Sequence, residues 1–174
     1  FFSVSFIFGS VAALIAVRLL GVIPGTLVAA IGGAYTWIIW GHPYAMIIFT
    51  LEALVVGLLL PRIEKIALAD TIFWIFIGSP LVFLFYRVQM DMPESAVALI
   101  AIKQPVNGIF NAVLAAFALM AVRLWLPWLA MAAQRRIRVS SLVFNVLLLL
   151  TLVAGTAPII FNSYQILEDE ELAA

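Results

Sequence analysis

The sequence has no cysteine, a single histidine and few charged residues, and each shortage excludes a class of chemistry. Without cysteine, the chain has no disulfide framework and no thiolate ligand for a zinc or iron–sulfur centre. His42 alone cannot form a site of several histidines. The formal net charge at pH 7 is zero, so bulk charge does not favour nucleic acid as a partner. We therefore predict no metal site, no cofactor and no nucleic-acid partner.

Apolar residues dominate what is present. The chain is 66% hydrophobic and 10% charged, with a mean hydropathy of +1.22. Soluble domains are about half apolar and about a quarter charged, so this composition predicts a lipid bilayer as the surrounding medium. Apolar runs near or above the length that crosses a bilayer cover roughly residues 2–20, 24–40, 43–61, 69–88, 98–123 and 141–161. We predict an all-α integral membrane protein with a five-helix transmembrane core and a sixth transmembrane helix.

The chain divides into three predicted units. Residues 1–124 form the five-span core, 125–140 a linker helix lying at the cytoplasmic interface, and 141–174 the sixth span with its exit. Trp125 and Trp128 favour the interfacial position, because tryptophan is enriched where the membrane meets water. No methionine precedes Phe1, and we expect the chain to be a piece of a longer protein.

The basic residues predict the orientation. They follow the first, third and fifth spans, and the positive-inside rule places such segments in the cytoplasm. The residues are Arg18, Arg62, Lys65, Arg123, Arg135, Arg136 and Arg138. This puts the amino terminus outside, the RRIR loop in the cytoplasm and the acidic carboxyl-terminal end outside.

The fifth apolar segment is longer than one crossing requires. From Pro93 to Leu126 it would form about 50 Å of helix at 1.5 Å per residue. Pro105 lies inside it and removes one backbone hydrogen bond. Two interpretations stay open, namely a kinked single helix, or a short outer helix that precedes the true span.

Glu52 is the one carboxylate predicted to lie deep in the membrane, near the midpoint of the third run. A charge at that depth is costly and needs a partner. Lys103, Asn107 and Asn111 lie at i, i+4 and i+8 on the fifth span, with Gln104 beside that row. We expect Glu52 and this face to converge. The result would be a structural ion pair between Glu52 and Lys103, a pocket for a small-molecule ligand, or a path for protons or ions.

Aromatic residues are candidates for the wall of such a pocket. Trp37, Trp74 and Tyr86 are the predicted ligand contacts, because binding pockets are mostly apolar with a few placed polar groups. Tryptophan and tyrosine near span ends also serve as interfacial anchors, and that alternative stays open. His42, between Gly41 and Pro43, is predicted to be an exposed turn residue.

Small residues recur at helical spacing in the first two spans, as in Ala12 and Ala16, or Gly25 and Ala29. In lipid, such faces let helix backbones approach closely. The contact they make is either tight packing within the chain or docking of another membrane subunit.

Residues 8–60 then present a small-residue helix, a turn with Gly21 and Gly25, and Glu52 followed by Gly57. Over about residues 8–123 the chain resembles vitamin-uptake-like sensor domains, LytS-type five-transmembrane receptors and the S components of energy-coupling-factor transporters. The LytS type has an adjacent Glu-Gly pair and an arginine in its second helix. Since both are missing here, the vitamin-uptake-like sensors are the better match.

The resemblance implies a membrane-embedded sensory input domain of a bacterial histidine kinase or diguanylate cyclase, in the inner membrane. It would bind an unknown small molecule and form a homodimer through downstream domains. The alternative is a substrate-binding S component of a vitamin transporter, docking through Ala12 and Ala16. A scaffold without a ligand is the third option. We find no catalytic motif and expect no enzyme activity in this segment.

Overall fold

Helices make up the part of the chain that the structure, a computed structural model, describes: residues 8–125 and 142–151. No strand occurs within these ranges, which confirms the all-α class. The helices are α1 (Gly9–Leu20), α2 (Val22–Trp40), α3 (Tyr44–Ile63), α4 (Ile66–Gln89), α5 (Glu94–Trp125) and α6 (Leu142–Thr151). Within α4, the segments Trp74–Gly78 and Phe83–Gln89 are π-helical.

Backbone geometry explains where the first helices end. Gly21 has φ 105° and Gly41 has φ 71°, a region that glycine enters without the steric cost of a Cβ. Gly41 caps α2 by donating its N–H to the Trp37 carbonyl oxygen at 2.9 Å. The predicted third span stops at Pro61, whereas α3 includes Pro61 in its last turn and ends at Ile63.

Four of the described helices are long and apolar enough to cross a bilayer, namely α2, α3, α4 and the Glu94–Val122 part of α5. Their outer surface is apolar, with Ile31, Ile38 and Phe76 each more than 70% exposed. These features are consistent with a multi-pass membrane protein. The 12 residues of α1 span only about 18 Å, and six spans in all remain a prediction.

The first five helices close into one bundle. Each packs against the next along the chain, α5 returns to α1, and α1 also contacts α3. The helix α5 is continuous through Pro105, so no separate outer helix precedes the fifth span. The predicted linker beyond Trp125, and residues 152–174 of the predicted exit, lie outside the described residues.

Several of the small residues pack inside the chain. A Cβ on Gly25 would lie 2.6 Å from the Cα of Val17, so α1 and α2 touch backbone to backbone there. Gly33 is similarly close to Met46, since its Cβ would lie 3.1 Å from the Met46 Cα. Gly9 and Ala12, by contrast, are exposed on the outer side of α1.

The start of α6 lies beside the connection between α3 and α4. The ammonium of Lys65 sits 4.6 Å from the ring centroid of Phe144, a cation–π distance. Asn145 is buried, and Leu148 and Leu149 pack against the core. The sixth helix therefore begins at the end of the bundle where Arg62 and Lys65 lie.

Candidate functional site: a buried carboxyl pair

Glu52 lies at the centre of a polar cluster inside the helical bundle. Its side chain is 1% exposed on α3. The hydroxyl of Ser10 on α1 donates to Glu52 Oε2 at 2.8 Å, and the indole N–H of Trp74 on α4 donates to Oε1 at 3.2 Å. Both carboxylate oxygens thus accept a hydrogen bond, each from a different helix.

Asp70 on α4 is the second buried carboxyl of this cluster. Its side chain is fully buried and lies within hydrogen-bonding range of the Glu52 carboxyl. Within the described part of the chain, no N–H or O–H group donates to either Asp70 oxygen. Ionised carboxylates only accept hydrogen bonds, so a bond between Asp70 and Glu52 requires a proton on one of them.

The prediction of a single carboxylate deep in the membrane was therefore wrong. Asp70 falls at the edge of the predicted fourth run, whereas α4 begins at Ile66 and places Asp70 in its second turn with its side chain buried. The four-residue spacing between Asp70 and Trp74 could have indicated that Asp70 belongs to the site. Residues four apart lie on one face of a helix, and Trp74 was already a candidate.

Two glycines make room for the Trp74 indole. A Cβ on Gly108 of α5 would overlap the indole nitrogen of Trp74, and one on Gly78 would lie 2.5 Å from the Trp74 Cε3. The ring therefore lies directly on the α5 backbone. Trp74 also opens the first π-helical segment, a feature that often marks functional positions in helices.

The amide residues predicted on the fifth span are buried next to this contact. Gln104 is 6% exposed, Asn107 2% and Asn111 0%. Asn107 adjoins Gly108, on which the Trp74 ring rests, and Asn111 follows one turn later. Among the predicted site residues, Glu52, Trp74 and this amide face thus belong to the same buried part of the bundle.

Lys103 is not the partner of Glu52, so that pairing was predicted wrongly. Lys103 is half-buried and forms no ion pair with Glu52 within residues 8–125 and 142–151. Ser10 and Trp74 occupy both Glu52 oxygens instead. Ser10 was missed because a serine in an apolar run is too common to single out.

Trp37 and Tyr86 lie away from the carboxyl pair. Trp37 is 52% exposed on the outer surface of α2. Tyr86 is buried about three helical turns beyond Trp74, where its ring centroid lies 5.5 Å from that of His42. The Tyr44 ring centroid lies 5.1 Å from that of His42, and the Tyr44 ring stacks on Phe85 at a centroid distance of 4.7 Å. These four residues, His42, Tyr44, Phe85 and Tyr86, form the outer aromatic cluster.

His42 is half-buried in this outer aromatic cluster, whereas an exposed turn residue was predicted. The turn itself is present between α2 and α3. Burial lowers the pKa of His42 below its usual value of 6.5, because the charged imidazolium loses solvation.

The described ranges contain no group of three acidic or histidine side chains that could hold a metal ion. Comparison with protein-family models, with curated proteins and with solved structures finds no match to this chain.

Proposed function

We propose that the chain is a membrane-embedded sensory input domain of a bacterial receptor of the histidine kinase or diguanylate cyclase type. It binds a small molecule inside the helical bundle. One observation carries the proposal: polar side chains from α1, α3, α4 and α5 are buried together in one bundle, and α3, α4 and α5 are long and apolar enough to span a membrane. Polar groups at that depth cost free energy and usually serve a function.

The proposed ligand contacts are the amide side chains of α5 together with the Glu52 cluster. Gln104, Asn107 and Asn111 offer both donors and acceptors on one buried helix face. A ligand that carries an amide or a charged headgroup would complement such a surface. The apolar walls of the bundle would enclose the rest of the molecule.

The finer architecture is part of the same proposal. Five spans would form the binding core, and the sixth would lead outward to a further sensing segment. The amino terminus would lie outside and the RRIR loop in the cytoplasm of an inner-membrane protein. The contact between Lys65 and Phe144 supports a sixth span that starts at the basic end of the bundle. A homodimer would form through downstream domains.

Ligand binding is tested by identifying the small molecules that stay bound to the protein during purification. The protein is purified together with a patch of the membrane in which it was produced. Its bound molecules are extracted with organic solvent, and the extract is analysed by mass spectrometry. We expect a compound that falls at least tenfold in Asn111→Ala. Gln89→Ala, which removes an exposed amide, should retain it. Equal amounts with both variants, or no retained compound and no response to any added compound, would contradict ligand binding at this face.

The alternative is the S component of a vitamin transporter, and the exposed side of α1 supports it. Of the predicted docking residues, Ala12 is exposed and Ala16 is half-buried, and small residues at such positions let another membrane subunit approach closely. Reporter fusions at Ala174 separate the two functions. A signal from the external face supports the receptor, and a cytoplasmic signal supports the transporter.

A further inference from the structure

Among the residues that the structure describes, none supplies a counter-charge to the Glu52–Asp70 pair. The polar side chains within hydrogen-bonding range of Glu52 are Ser10, Trp74 and Asp70, none of which is cationic. For Asp70 the polar neighbour is the Glu52 carboxyl, and no N–H or O–H of the described residues donates to Asp70. Two ionised carboxylates in contact, both shielded from water, would repel each other and lose their hydration. The pair therefore needs a bound positive species, either a proton or a metal cation.

The neighbouring helices supply no such charge. The ionisable residues of α1 and α2 are Arg18, two turns from Ser10, and Tyr35, which is 65% exposed. On α5, Lys103 forms no ion pair with either carboxyl, and Glu94 and Arg123 lie near the helix ends. The described part of α6 has no ionisable residue. On α3 and α4 themselves, the remaining ionisable groups lie at the helix ends: Tyr44, Arg62, Tyr86 and Arg87. Glu64 and Lys65 form the connection between the two helices, where the Lys65 ammonium lies over the Phe144 ring.

The hydrogen bonds distinguish the two carboxyls. Glu52 accepts at both oxygens, which suits an anion. Asp70 is fully buried and points at Glu52, yet its oxygens receive no donor from the described residues. A protonated Asp70 would donate its O–H to Glu52 and leave one carbonyl oxygen as an acceptor. With the proton on Asp70, more of the buried polar atoms have a hydrogen-bond partner than with the proton on Glu52.

A metal cation fits this geometry less well. Hard cations collect six or more oxygen ligands, and no trio of acidic or histidine residues forms in the described ranges. Moreover, the Trp74 N–H and the Ser10 O–H direct their partial positive charge at Glu52, where a cation would have to bind. Donors aimed at both oxygens favour a proton held between the carboxyls.

We propose that the Glu52–Asp70 pair is a proton-binding site in the membrane-spanning bundle, with the proton on Asp70 and donated to Glu52. The site links α3 to α4 directly. Loss of the proton would leave two adjacent charges in an apolar interior, so deprotonation would separate the two helices or draw in a cation. This inference rests on the carboxyl contact alone and holds whether or not the amide face binds a ligand.

Infrared spectroscopy tests the site in the whole protein, embedded in lipid at neutral pH. A protonated carboxylic acid has a C=O stretching band that carboxylates lack, and the band shifts in deuterated water. We expect this band in the wild-type protein and its loss in Asp70→Asn. Asp91→Asn, which alters an exposed carboxylate paired with Arg87, should leave the band intact.

If Asp70→Asn does not fold, isotope labelling shows whether an aspartate or a glutamate gives the protonated-carboxyl band. In wild-type protein grown with carbon-13-labelled aspartate, the band should shift, while labelled glutamate should leave it in place. The absence of any protonated-carboxyl band in the wild-type protein would overturn the proposal. So would a band that moves with labelled glutamate, or one that emerges only after sodium and potassium are replaced by a bulky organic cation. The last result would assign a metal cation to the pair. Because no ligand is added, these outcomes do not bear on the proposed receptor function.

Discussion

The indole N–H of Trp74 donates to Glu52 while the same ring lies on the backbone of Gly108. One side chain thus joins α3, α4 and α5 at the level of the buried carboxyl pair. Any change that moves this ring alters both the packing of α5 and the hydrogen bonding of Glu52.

Gly108→Ala should destabilise the protein although alanine is the better helix former. The new Cβ would overlap the Trp74 indole and force the ring or α5 to move. Overpacking of this kind costs about 1–3 kcal/mol in the free energy of unfolding. Gly32→Ala is the matched control, since its Cβ would meet nothing within 4 Å. That variant should be neutral or more stable by up to about 1 kcal/mol. Unfolding by SDS in mixed micelles measures both, and equal effects would contradict the close contact.

Trp74→Phe should cost at least about 2 kcal/mol, because it removes a donor to a buried carboxyl and leaves a gap beside Gly108. Trp37→Phe changes an exposed ring and should stay within about 0.5 kcal/mol of the wild type. A double-mutant cycle with Glu52→Gln checks the cause. Strictly additive effects of Trp74→Phe and Glu52→Gln would show that the hydrogen bond makes no contribution.

Ser10→Ala should cost about 1–3 kcal/mol, since the buried Glu52 Oε2 loses its hydrogen-bond donor. Ser95→Ala, at an exposed position near the start of α5, is the control and should have little effect. Thermal unfolding in lipid discs compares the two. A Ser10→Thr variant, which keeps the hydroxyl, should recover part of the loss, and no recovery would argue for packing as the cause.

His42 should make the outer aromatic cluster less stable in acid. Its pKa is lowered in the folded protein, so the unfolded chain binds the proton more tightly. The stabilisation is complete above the unfolded pKa of about 6.5 and decreases as the pH falls below that value. NMR titration of the His42 ring should give a midpoint below 6.5, and His42→Phe should remove this part of the pH dependence. A midpoint at or above 6.5 would contradict burial of the ring.

Local patterns were sufficient to predict much of the fold. Apolar runs bounded by Gly21 and Gly41 predicted the second span, and α2 ends where the second glycine adopts a left-handed conformation. The spacing placed Asn107 and Asn111 on one helix face with Gln104 beside it, and all three are buried. Such features depend on residues near one another in the chain, so the sequence contains the information needed.

The partners of Glu52 could not be predicted in the same way. Counting residues from the span ends placed Lys103 near Glu52, but counting cannot show which way each helix is rotated about its own axis. Small residues decide that rotation through close contacts, such as Gly25 on Val17 and Gly108 on Trp74.

The sequence by itself determined an all-helical chain with long apolar segments and a glutamate deep inside one of them. The tertiary structure decided that this glutamate meets Ser10, Trp74 and a second acid, Asp70, rather than a lysine. The physical reason is that hydrophobic length and helix breakers act along the chain, whereas side-chain pairing depends on how helices rotate and pack against one another.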